Sequence, residues 1–193
     1  MCIVYIADRY GVAIADISTG DYFVTELPDS SRLMDEIYKF SPSEIICNEA
    51  FYMSGMDLDA MRDKLGITIY SLDSWYFDDA VCKDKLLEHF KVKNFAGLGL
   101  ADYDCGIISA GALLIYLFET QKNSLSNLTH ITPYITGKYM LIDSSTRRNL
   151  ELCETLREKQ KRGSLLWVLD KTRTAMGART LRKNVEQPLI DKS

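Results

Sequence analysis

Short apolar runs separated by polar, glycine-containing connections open the chain. "CIVYIAD" (residues 2–8), "VAIADIS" (12–18) and "YFVTEL" (22–27) each read as strands, joined through Arg9-Tyr10-Gly11 and Thr19-Gly20-Asp21. Short connections containing glycine predict hairpins, so these strands are expected to be antiparallel neighbours. A helical period follows. Leu33, Ile37 and Phe40 recur at helical spacing behind Asp29 or Ser30, either of which can cap, and Pro42 ends the run. "EIICNE" (44–49) reads as a buried strand, "MDLDAMRDKLG" (56–66) as a helix closed by Gly66, and "ITIYSL" (67–72) as a strand. Two helices follow, about Asp79 to Phe90 and about Gly106 to Lys122. The apolar run inside the second, from Ile107 to Phe118, predicts burial on most sides and is too short to span a bilayer.

This order predicts an α/β fold with a ribonuclease H-like mixed sheet: three antiparallel strands, then two parallel strands, with helices on both faces. After "SLSNLTHITPY" the pattern changes. Pro133 and Gly137 punctuate a loop, and "KYMLID" (138–143) reads as extended. "SSTRRNLELCETL" (144–156) reads as a helix, "EKQKRGS" as a charged loop and "SLLWVLDKT" as a short helix capped by Ser164. "TAMGARTLRKNVEQPL" (174–189) reads as a last helix stopped by Pro188. The expected division is a domain over 1–133 and a short helical segment over 134–193. That segment is too small to close its own core, so it is expected to be incomplete.

Charge sharpens the division. Residues 1–137 carry 10 Lys and Arg against 20 Asp and Glu, and residues 138–193 carry 13 against 7, so a net −10 meets a net +6. The five cysteines include no Cys-x-x-Cys pair and no targeting segment is evident, which predicts reduced thiols, a cytoplasmic location and no membrane association.

Candidate chemistry is sparse. Asp8, Asp35 or Glu36, and Glu49 could supply the carboxylates of a divalent-metal nuclease of ribonuclease H-like fold. Asp8 is expected at a hairpin and Asp16 on the second strand, which fits that arrangement poorly. "GLGL" (97–100) lacks the third glycine of a dinucleotide loop and reads as a tight turn. Cys82 and His89 are two helical turns apart but have no companion ligands at metal spacing, and neither does His130. The helix at 79–90 mixes Lys83, Asp84, Lys85 and Glu88 with Leu86, Leu87 and Phe90, an ordinary amphipathic pattern. Arg179, Arg182 and Lys183 share one helix face opposite Ala178, Leu181 and Val185. That face could touch phosphates in an autonomous DNA-binding domain, but charge alone favours a solvated face, and the acidic first region predicts weak binding at most.

Longer stretches carry a resemblance. "ADISTGDY" (15–22), "FSPSEIICNE" (40–49) and "SAGALLIYLFETQK" (109–122) resemble the connector domain of the MutS family of DNA mismatch repair proteins. "IDSSTRRNLEL" (142–152), "GSLLWVLDKTRTAMGARTLRK" (163–183) and "EQPL" (186–189) resemble the start of that family's core, or lever, domain. The resemblance implies a piece of a larger ATPase that acts on mismatched duplex DNA as a dimer, with ATP and magnesium held elsewhere. The chain itself has no G-x-x-x-x-G-K-[ST] and no Phe-x-Glu triplet. It implies no catalytic, cofactor or metal residue here. The implied role is to transmit nucleotide state between domains through a joint at Pro133–Asp143 and to offer a docking surface for MutL. Asp84, Lys85 and Glu88 fall on the segment associated with that docking, where glutamines lead in better-known bacterial members. Arg179, Arg182 and Lys183 are implied to face other domains, solvent or DNA.

Overall fold

The computed structural model describes residues 1–121, 125–134, 142, 144–186 and 188, leaving out the side chains of Lys64, Ser144, Ser145 and Lys183. The chain divides into two compact units, Met1–Leu33 with Ser41–Ile135, and Met34–Phe40 with Thr136–Ser193.

The first unit is built on one mixed sheet. Its strands are β1 (Cys2–Ile6), β2 (Arg9–Asp16), β3 (Asp21–Leu27), β4 (Glu44–Cys47), β5 (Thr68–Ser71) and β6 (Thr132–Pro133), in the order β5-β4-β1-β2-β3-β6. β1, β2 and β3 are antiparallel neighbours, β4 lies parallel to β1, and β5 parallel to β4. This is the mixed sheet the hydrophobic pattern predicts. Two details differ. The first turn is at Ala7–Asp8, both with positive φ, and Gly11 lies within β2. Gly11 serves close approach instead: a Cβ there would lie 2.1 Å from the carbonyl oxygen of Cys105. β6 falls where a loop was expected. It pairs parallel with β3 through Phe23↔Thr132 and Val24↔Pro133, at a sheet edge where the missing proline N–H costs no ladder bond.

Helices cover both faces. On one face Cys2, Val4, Ala13, Tyr22, Val24 and Ile46 share a core with α4 (Asp79–Phe90) and α5 (Cys105–Gln121). α5 is buried on most sides, as expected, and Tyr22 donates a 2.5 Å hydrogen bond to the carbonyl of Ala110. On the other face Tyr10 meets Phe51 edge-on, from the short helix α2 (Glu49–Tyr52). The "EIICNE" pattern predicts a strand as far as Glu49, but β4 stops at Cys47. Asn48 ends the strand instead: its side chain bonds both backbone groups of Tyr5 and caps α2 through Phe51 N. α3 (Leu58–Leu65) is capped by Asp57 and closed by Gly66 at φ 65°.

α1 (Ser30–Phe40) is capped by Asp29, which accepts from Arg32 N at 2.9 Å. The second unit holds α6 (Ser144–Asn149), α7 (Leu165–Leu169) and α8 (Ala175–Glu186). α6 is shorter than its pattern predicts. Glu151 adopts φ 48°, and bonds from Glu151 N to Arg148 O and from Leu152 N to Arg147 O close a Schellman turn. A left-handed glutamate has no sequence signature of the kind glycine gives. α7 is capped by Ser164 through Trp167 N, as expected. Of "KYMLID" only Ile142 is described, so the extended reading lies outside the described residues.

Candidate interface on helix α4

α4 is fixed at both ends and along one side. Asp78 Oδ1 accepts from Val81 N at 3.0 Å and caps the N-terminus. Lys91 at φ 54° ends it in a second Schellman turn, with bonds from Lys91 N to Glu88 O and Val92 N to Leu87 O. Cys82 and Leu86, one turn apart, are the buried positions. A Cβ on Gly111 of α5 would lie 2.3 Å from the Cβ of Cys82, so the helices cross in near-backbone contact. His89 Nε2 donates to the carbonyl of Leu128 at 2.8 Å, while its ring meets Phe90 and Phe118 edge-on. Cys82 and His89 therefore serve packing. Burial above all, with Asp78 and Asp79 nearby, pushes the Cys82 thiol up to about 12, which leaves it protonated and unreactive.

The opposite side of α4 faces solvent. Asp84 and Glu88 are exposed, and Asp84 has no ion pair or side-chain hydrogen bond among the described residues. Lys85 is half-buried: its ammonium lies 3.3 Å from Glu88 and 4.6 Å from the centroid of the Phe118 ring. The three residues do not act alike. Asp84 presents an outward negative charge, Glu88 is exposed but paired with Lys85, and Lys85 folds onto its own domain. The sequence pattern did not point to Trp75, just before this helix, or Val81, in its first turn, which are 48% and 45% exposed. An aromatic before a cap reads as core, and "SWYF" is in fact a 3-10 turn, Ser74–Phe77, whose tryptophan turns outward.

Two of the candidate metal carboxylates are engaged locally. Asp8, exposed in the first hairpin, accepts from the Tyr5 hydroxyl at 2.9 Å. Glu49 is exposed in the first turn of α2. Asp35 is half-buried, and Glu36 is buried 3.0 Å from the Lys39 ammonium. Among the described residues no three His, Cys, Asp or Glu side chains group as a metal site. "GLGL" closes a 3-10 turn, Phe95–Leu98, with Gly99 at φ 71° as its C-cap. On α8, Arg182 pairs at 3.0 Å with Glu186, one turn along its own helix, and the same carboxylate oxygen accepts from the Cys153 thiol at 3.1 Å. Its acid partner is thus within the chain, where solvent or other domains were expected. Arg179 is exposed one turn earlier, and the Lys183 side chain lies outside the described residues. Among the described residues no helix is long and apolar enough to cross a membrane.

The architecture defines the class: a mixed α/β domain without a grouped metal site among its described residues, followed by a small helical unit. Residues 1–132 match the family model MutS domain II, and residues 145–193 match MutS domain III. The chain belongs to the MutS family. It is similar to the DNA mismatch repair protein MutS of Lachnoclostridium phytofermentans, 57% identical over 190 residues that cover 98% of this chain and 20% of that protein. The MutS of Ruminiclostridium cellulolyticum is 42% identical over 185 residues, covering 94% of this chain and 21% of that protein. The MutS of Symbiobacterium thermophilum is 38% identical over 185 residues, with the same two coverages, 94% and 21%. The chain thus spans about a fifth of the length of the curated relatives it matches.

Proposed function

We infer that the chain is a non-catalytic coupling and docking region of a mismatch repair protein of MutS type. Residues 1–133 serve as the connector domain, and 134–193 as the beginning of the core, or lever, domain. In this reading the whole protein binds mismatched duplex DNA as a dimer in the cytoplasm. It hydrolyses ATP with magnesium in a domain elsewhere, and this region passes nucleotide and mismatch state between domains. Its joint lies between Pro133 and Asp143; Pro133 is held in β6, and residues 135–141 and 143 lie outside the described residues. Transmission through such a region needs a rigid body that two states can move as a whole, without any reactive group inside it.

The observation that carries the reading is the exposed carboxylate of Asp84, without an ion pair among the described residues, on a helix fixed at its cap, its last turn and its buried side. A charged face on a rigid support suits recognition, because little order is lost on binding. The partner in this reading is MutL. Replacing Asp84 by Lys is expected to weaken binding of the chain to MutL, whereas Lys85→Glu, which frees Glu88 and adds negative charge, is expected not to weaken it. Unchanged binding in Asp84→Lys contradicts the assignment of α4 as the docking face.

A further inference from the structure

We propose that the α4 docking face is anchored on Trp75 and Val81, and that its occupant is a basic, apolar-tipped element of the partner protein. The inference rests on the reading of α4 as a docking face and adds its anchor and the partner's chemistry. Both residues stand at the start of α4 and are joined by one residue. Asp78 N donates to Trp75 O at 3.3 Å, and the Asp78 carboxylate caps Val81 N.

Trp75 is exposed yet held. Its ring stacks on Tyr76 with centroids 3.9 Å apart. Tyr76 is itself bonded through its hydroxyl to Glu119 of α5, and its carbonyl accepts from the buried Cys82 thiol at 3.1 Å. A large aromatic already fixed in place contributes contact area at small entropic cost, the character of an interface hot spot. Val81, Asp84 and Glu88 are spaced three and four apart, so they form one exposed stripe along the helix.

Charge selects the occupant. Residues 73–90 hold five acidic and two basic side chains. The two lysines are engaged locally, Lys83 with Asp79 at 2.7 Å and Lys85 with Glu88. Asp73 and Asp84 have no ion pair among the described residues. The rim around the anchor is therefore acidic, and its complement is basic.

The test titrates the 193-residue chain against purified MutL, the partner in this reading, at low and high salt. Trp75→Ala is expected to weaken binding about tenfold or more, and Val81→Ser severalfold. Trp167→Ala, at an exposed tryptophan in the second unit, is expected to leave it unchanged, and salt is expected to weaken it. If Asp84→Lys weakens binding while Trp75→Ala and Val81→Ser do not, the anchor is overturned and the docking reading stands. If none of the three matters, or the chain does not bind, the docking reading falls and the anchor with it. Binding indifferent to salt overturns the basic occupant. Should Trp75→Ala unfold, Val81→Ser decides, because that side chain is exposed.

Discussion

Gly111 of α5 lies so close to Cys82 of α4 that a methyl group on it would sit 2.3 Å from the Cβ of Cys82, 2.6 Å from its Cα and 2.7 Å from its carbonyl oxygen. This crossing fixes the depth at which α4 sits and hence how its outer face is presented. Gly111→Ala is expected to force the helices apart and destabilise the fold by about 1–3 kcal/mol, the usual cost of overpacking. Adding Cys82→Ala is expected to give no rescue, because the Cβ and backbone atoms remain. Chemical denaturation of the two variants checks both statements.

Glu26 performs a second long-range task. From β3 its Oε1 accepts from Asp104 N at 2.6 Å and Gly106 N at 2.8 Å, so it caps α5 from 80 residues away. Anions are favoured at a helix N-terminus. Glu26→Ala is expected to cost about 1–2 kcal/mol, in the range of a lost cap, and Glu26→Gln less. The Arg9 pairing at 3.7 Å is mostly exposed and adds little. Urea melts of the two variants, with Arg9→Ala beside them, test this order.

The antiparallel strands, the parallel pair and the helices at 79–90 and 105–121 were legible because each apolar stretch is bounded by turn or capping residues. Three features were not. Gly11 reads as a turn residue, but it makes room for Cys105, and contacts across 94 positions leave no local trace. β6 is two residues long and contains a proline, so no strand pattern announces it. α6 ends at a left-handed Glu151, a choice set by the Schellman bonds and not by composition. At the site, Asp84 and Glu88 could be placed by spacing. The inward lean of Lys85 onto Phe118 and the outward turn of Trp75 depend on tertiary neighbours.

In the second unit Lys161 and Asp170 form a 2.5 Å ion pair that ties the charged loop to the end of α7. The Lys161 hydrogen bond, then those from Thr172, hold the Asp170 carboxyl down to about 2 from 3.8. A depressed carboxylate stabilises above its unfolded pKa, so this tether is complete above about 3.8 and is lost as pH falls through about 2. Trp167 lines the same open cleft as Lys161 and Asp170. Its fluorescence in a Trp75→Phe background is expected to titrate with a midpoint near 2. In Asp170→Asn that step is expected to vanish.

Leu150, Leu156, Leu165, Trp167, Val168, Leu169 and Met176 are all exposed, whereas α5 is buried along most of its length. Local stability follows buried apolar contact. Amides of α5 are expected to exchange hydrogen far more slowly than those of α7 and α8. Equally slow exchange in the two units contradicts this contrast.

The central claim is that α4 is where a partner docks. Hydrogen exchange of the chain, alone and saturated with MutL, the proposed partner, tests it most directly. The account predicts new protection over residues 74–90, greatest at the exposed N-terminal turns near Trp75, Val81 and Asp84. Protection confined to residues 144–186, with 74–90 unchanged, would contradict it.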